Sequence, residues 1–115
     1  MTAELREKLI ATAREMNRSG INQGTSGNLS LRSGDGMLIT PSGLPYDRLE
    51  PADIVFLPLD CGDAAVSKGP RKPSSEWRIH RDVYRARPEA LAILHAHPVH
   101  CAALACLNRP LPAFH

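Results

Sequence analysis

The order of apolar and polar positions along the chain predicts helices and strands in alternation. Leu5, Leu9, Ile10, Ala13 and Met16 recur at helical spacing between Thr2 and Arg18, with Glu4 suited to the first turn and Gly20 to the stop. Leu29 and Leu31 then alternate with polar neighbours, and Met37-Leu38-Ile39 follows the turn residues Gly34-Asp35-Gly36. That pattern predicts a β-hairpin with strands near 28–32 and 37–40. Leu49 to Asp53 reads as a single helical turn, and the run from Ile54 as a buried strand near 54–58. Residues 60–73 carry Gly62, Gly69, Pro70 and Pro73 among mixed charges, which predicts an exposed loop too short to link domains. A second main helix is expected over about 75–87, capped by Ser74 or Ser75. Its core face would comprise Ile79 and Val83 with Trp77 and Tyr84, leaving His80 on the surface. An apolar run predicts a strand near 91–96, and Pro98 suits the start of a helix near 99–107 with Cys101, Leu104 and Leu107 as its apolar face. The whole reads as one mixed α/β or α+β domain over 1–115.

Composition narrows the partners. With 115 residues, 43% hydrophobic content and 23% charge, the chain has the make-up of an ordinary globular domain. A net charge of +2 without a dense Lys/Arg cluster argues against nucleic acid, and so does the scarcity of aromatic residues for base stacking. There is no run of about 18 apolar residues and no signal-peptide core, so no membrane association is expected. Cys61, Cys101 and Cys106 are odd in number and lack metal-pair spacing, which suits reduced thiols in a cytoplasmic protein.

Four short stretches carry candidate chemistry. In Leu91-Ala-Ile-Leu-His95-Ala-His97-Pro98, the strand period of two sends both imidazoles to one face, roughly 6–7 Å apart at the backbone. Two nitrogens so placed suit one divalent metal at about 2.0–2.1 Å each, although solvated histidines at a strand end would leave the same pattern. His100 suits a structural or substrate-side position rather than a further ligand. The segment Asn22-Gln-Gly24-Thr-Ser-Gly27-Asn28 combines glycines with hydroxyl and amide donors and could cradle an anion or simply turn the chain. It has neither the lysine of a Walker loop nor the spacing of a dinucleotide fingerprint. Thr40-Pro-Ser-Gly43 repeats that chemistry. In Pro73-Ser-Ser-Glu76, Glu76 reads either as an acid favoured at a helix N-terminus or as a general acid/base facing a metal or a substrate proton.

Together, in this order and spacing, Gly24-Thr-Ser-Gly27-Asn28, Thr40-Pro-Ser-Gly43, Pro73-Ser-Ser-Glu76 and His95-Ala-His97 resemble the class II aldolase/adducin family. The resemblance runs over essentially the whole chain, which looks like the N-terminal half of a family member. It implies a three-layer α/β/α sandwich around a mainly antiparallel sheet, and a homotetramer with sites between subunits. Gly27, Asn28, Ser42, Gly43, Ser74 and Ser75 match the segments that bind the substrate phosphate. Glu76 matches the catalytic acid/base that also touches the metal, and His95 and His97 match two of three ligands to one Zn²⁺ per subunit. The implied reaction is reversible cleavage of a ketose 1-phosphate, of the L-fuculose 1-phosphate type, into dihydroxyacetone phosphate and a short aldehyde such as lactaldehyde. Three rival readings share the fold. Sugar-phosphate 4-epimerases resemble the aldolases but carry Asp where this chain has Glu76; methylthioribulose-1-phosphate dehydratases share the zinc and the Glu; adducin is a binding module without the metal ligands. A truncated binding fragment that is poorly stable or tightly associated is a further expectation, because core surface would be exposed.

Overall fold

Helix α1 (Thr2–Arg18) places Leu9, Ile10, Ala13 and Met16 against the sheet, the stripe its heptad-like spacing requires. The computed structural model describes residues 2–64 and 69–113. Strands β1 (Asn28–Ser33), β2 (Gly36–Ile39), β3 (Val55–Pro58) and β4 (Ala92–His95) form one sheet in the order β3-β2-β1-β4, every neighbour antiparallel. Helix α2 (Trp77–Ala86) lies on the face opposite α1, and helix α3 (Val99–Cys106) follows β4. The expected α/β/α layering and antiparallel sheet are therefore present.

Two cores follow from strand alternation. Leu29 and Leu38 point to α1, where they meet Leu9, Met16, Tyr46, Leu49 and Ile54. Met37, Ile39, Val55 and Leu57 point to α2, where they meet Trp77 and Tyr84. The hairpin turn and the stop at Gly20 fall where the sequence places them. The single helical turn expected over Leu49 to Asp53 is a 3₁₀ turn at Pro51–Asp53, and a further 3₁₀ turn, Tyr46–Arg48, precedes it. Of the loop expected over 60–73, residues 65–68 lie outside the described residues.

Three expectations need correction. Helix α2 begins at Trp77 with Glu76 as its N-cap, so neither Ser74 nor Ser75 occupies that position; Ser74 Oγ instead accepts from the Glu76 N–H at 3.3 Å. The buried stripe of α2 is Trp77, His80, Arg81 and Tyr84, while Ile79 and Val83 are exposed. His80 faces β1, whose inward polar side chains need hydrogen-bond partners that an isoleucine could not supply. Finally, α3 fully buries no residue: Cys101 and Leu107 are exposed and Leu104 is half-buried.

Candidate active site

The site grows from the polar edge of β1. Asn28 opens that strand directly opposite His95 on β4, so both side chains leave the same face of the sheet, toward α2. Glu76, at the start of α2, drops between them. Its Oε2 accepts from Asn28 Nδ2 at 2.6 Å and lies 2.5 Å from His95 Nδ1. The hydrogen bond from Asn28, helped by the imidazoles of His95 and His97, holds the Glu76 carboxyl below the usual glutamate range, although partial burial pushes the other way.

His97 lies just past the end of β4, and its ring centroid is 4.8 Å from that of His95. Its backbone N–H donates to Asn22 Oδ1 at 2.8 Å, while Asn22 Nδ2 donates to Asn17 Oδ1. Asn22 thus ties the second histidine to the end of α1. Gly27 fits beneath this junction because it has no side chain. A Cβ there would lie 2.5 Å from the His95 carbonyl oxygen and 2.7 Å from the Asn22 amide.

The three small-residue segments converge because the backbone stitches them together. Thr40 N–H donates to the Leu29 carbonyl, and Thr40 Oγ1 accepts from Leu29 N–H. Pro41 and Pro73 form an antiparallel bridge flanked by Ser42 N–H to the Lys72 carbonyl and Ser74 N–H to the Thr40 carbonyl. Tyr46 donates its hydroxyl hydrogen to the Gly27 carbonyl at 2.8 Å. Gly43 turns the second segment at φ +71°, a conformation that costs glycine nothing.

The result is a polar cavity of about 280 Å³ lined by Thr25, Ser26, Gly27, Asn28, Pro41, Ser42, Gly43, Ser74, Ser75, Glu76 and His97. All six residues expected to hold a phosphate reach it, together with Glu76 and His97; His95 sits behind Glu76. Among the described residues, no lysine or arginine lines it; what it offers is N–H and O–H donors and the amino end of α2. His100, on the first turn of α3, lines neither this cavity nor its rim.

Two imidazoles side by side and a carboxylate in contact with one of them are the donor types that a divalent metal takes. Among the described residues, no group of three His, Cys, Asp or Glu side chains is arranged to hold a metal by itself. The pair therefore fits as two ligands of a centre that needs further donors. Sequence reasoning missed Asn22 and His80. Asn22 belonged to a stretch read as an anion cradle or a turn, not as a brace for the second histidine, and His80 stands on a helix whose more obvious apolar residues drew the core assignment.

A family profile described as Class II Aldolase and Adducin N-terminal domain matches residues 7–115. The chain is 52% identical over 111 residues to the 5-methylthioribulose-1-phosphate/5-deoxyribulose-1-phosphate aldolase of Rhodospirillum rubrum, covering 96% of this chain and 48% of the relative. It is 49% identical over 112 residues to the L-fuculose phosphate aldolase of Escherichia coli K12, covering 97% and 50%. A solved L-fuculose 1-phosphate aldolase superposes with a TM-score of 0.84 at 37% identity, over 97% of this chain and 52% of that one. The chain thus spans about half the length of the curated relatives it matches. It belongs to the class II aldolase and adducin family.

Proposed function

We propose that the protein is a metal-dependent aldolase that cleaves a ketose 1-phosphate to dihydroxyacetone phosphate and a short aldehyde. The observation that carries this reading is the meeting of Glu76, His95 and His97 at one end of a cavity whose other walls are the three donor-rich segments. A phosphate monoester anchored by Gly27, Asn28, Ser42, Gly43, Ser74 and Ser75 would bring the adjacent carbons of the ketose under Glu76. His95 and His97 would hold the metal, Zn²⁺ on this reading, with its remaining ligand supplied from outside these residues. Bound there, it would polarise the substrate carbonyl and hydroxyl oxygens as a Lewis acid.

Glu76 carries the proton. Asn28 and His95 both engage Oε2, which leaves Oε1 to serve the substrate. In the direction of condensation, Oε1 takes a proton from the hydroxymethyl carbon of dihydroxyacetone phosphate, that carbon attacks the aldehyde carbon, and the aldehyde oxygen takes up a proton from solvent to become the new hydroxyl. In cleavage, that hydroxyl gives its proton to solvent as the carbon–carbon bond breaks, and Oε1 returns its own proton to the same carbon. The phosphate segments restrain the substrate throughout, and desolvation in the cavity strengthens each hydrogen bond they make.

Relatives named for fuculose phosphate and for methylthioribulose and deoxyribulose phosphates match at nearly equal identity, so the aldehyde half of the substrate is the open part of this reading. The test is a panel of L-fuculose 1-phosphate, 5-methylthioribulose 1-phosphate and 5-deoxyribulose 1-phosphate offered to the full-length protein with Zn²⁺. Release of dihydroxyacetone phosphate from at least one supports the aldolase. A product that has lost water, or a diastereomer with intact carbon chain, would transfer the site to dehydratase or epimerase chemistry. Assembly into a homotetramer and a cytoplasmic location belong to the same reading.

A further inference from the structure

Behind Glu76 a row of side chains runs between β1 and α2, and the proposed reaction gives it no task. His80 Nε2 lies 2.5 Å from Asn28 Oδ1, His80 Nδ1 lies 2.6 Å from Ser30 Oγ, and Ser30 Oγ lies 2.8 Å from the Tyr84 hydroxyl. Ser30 and His80 are entirely enclosed, at 0% and 1% exposure, and Tyr84 is at 1%. Groups so buried must satisfy every donor and acceptor from one another.

The direction of each hydrogen bond follows from the carboxylate end. An ionised carboxylate only accepts, so Asn28 turns its Nδ2 to Glu76 and its Oδ1 away. An amide oxygen only accepts, so His80 Nε2 carries the hydrogen. Burial pulls the His80 imidazole down to about 4, so it is neutral near pH 7 and its Nδ1 is an acceptor. Ser30 then donates to Nδ1 and accepts from Tyr84. Were the Asn28 amide turned over, its oxygen would face Glu76 Oε2 and its N–H groups would face His80 N–H. Both contacts would become repulsive, and at the enclosed His80 end no solvent could relieve the clash.

We propose that His80 is a positioning residue of this site: through its Nε2–H it holds the Asn28 amide in the one orientation that presents an N–H to Glu76. Ser30 and Tyr84 fix the tautomer that allows this. The inference rests on the aldolase reading for the use made of Glu76, and on the geometry alone for the hydrogen-bond order.

Nitrogen-15 NMR of the full-length protein at pH 7 reads that order directly and needs no turnover. His80 is expected as the neutral Nε2–H tautomer, with the Asn28 side-chain amide slow to exchange; an Nδ1–H tautomer or an imidazolium would overturn the proposal. His80→Phe is expected to lower kcat about ten- to a hundredfold, the range for loss of an outer partner, with KM moved far less. His80→Gln keeps a donor and an acceptor and should recover most of that loss. Equal losses in both variants, or none in either, would overturn the proposal; if His80→Phe does not fold, the tautomer still decides. A wild type that shows the tautomer and the protected amide but cleaves no ketose 1-phosphate would remove the aldolase reading and leave the hydrogen-bond order supported.

Discussion

On the aldolase reading, Glu76 concentrates the chemistry in one carboxylate. Its Oε2 is held by Asn28 and His95, and the residue lines the cavity. Glu76→Gln keeps the shape and removes the proton carrier. It is expected to lower cleavage by about 10²- to 10⁴-fold while calorimetry still detects phosphate-ester binding. His80 supplies a second, independent readout. Its pKa in the folded chain is about 4 against an ordinary 6.5, so between those values the unfolded chain binds the extra proton. Stability therefore rises with pH across that window and is lost as pH falls from 6.5 toward 4. The contribution of this one group is on the order of 3 kcal/mol. Urea unfolding at pH 6.5 and 4.5 should show a smaller difference in His80→Gln than in the wild type; equal differences would contradict this. At this scale the meeting of His95, His97, Glu76 and the small donors was legible only from the four motifs taken together, since each alone has an ordinary structural reading. His80 was not, since its burial answers to the polar face of β1 rather than to any apolar stripe on its own helix.

At the scale of elements, the site is a junction where the start of β1, the end of β4 and the start of α2 meet. The polar positions of β1 alternate with Leu29 and Leu31 as they would on a solvent-facing strand, yet Asn28 and Ser30 are covered by α2. Alternation states which residues share a face; it does not state whether water or a helix lies over it. The same ambiguity reversed the faces of α2. Strand positions and the hairpin were legible because turn glycines and apolar runs bound them tightly, whereas the bridge between Pro41 and Pro73 joins segments distant in the chain and has no local signature. Gly27→Ala tests the junction. The new methyl would overlap the His95 carbonyl and the Asn22 amide, and overpacking of this kind costs roughly 1–3 kcal/mol. A drop of that size in urea unfolding, with weaker metal binding, is expected; an unchanged midpoint would show that the junction yields.

For the whole molecule, apolar surface gathers at the β4–α3 end. Leu91, Leu107 and Leu111 are about 70% exposed, Leu94 and Val99 about half, and β4 is an edge strand of the described sheet. Exposed leucines beside an open strand edge favour association. The 115-residue chain is expected to self-associate in sedimentation experiments, and Leu94→Lys to reduce it; a monodisperse monomer at high concentration would contradict this reading. Fold and family were legible over the whole chain because four motifs span it. The identity of the aldehyde was not, since relatives named for different sugar phosphates match this chain at nearly equal identity.

The most direct measurement of the central claim is exchange of the hydroxymethyl hydrogen of dihydroxyacetone phosphate for deuterium, followed by NMR in heavy water. It uses the full-length protein with Zn²⁺ and requires no aldehyde. The arrangement of Glu76, His95 and His97 predicts exchange at one hydrogen of that carbon, abolished in Glu76→Gln and strongly reduced in His95→Ala. Exchange that survives in Glu76→Gln, or none in a metal-loaded wild type, would contradict it.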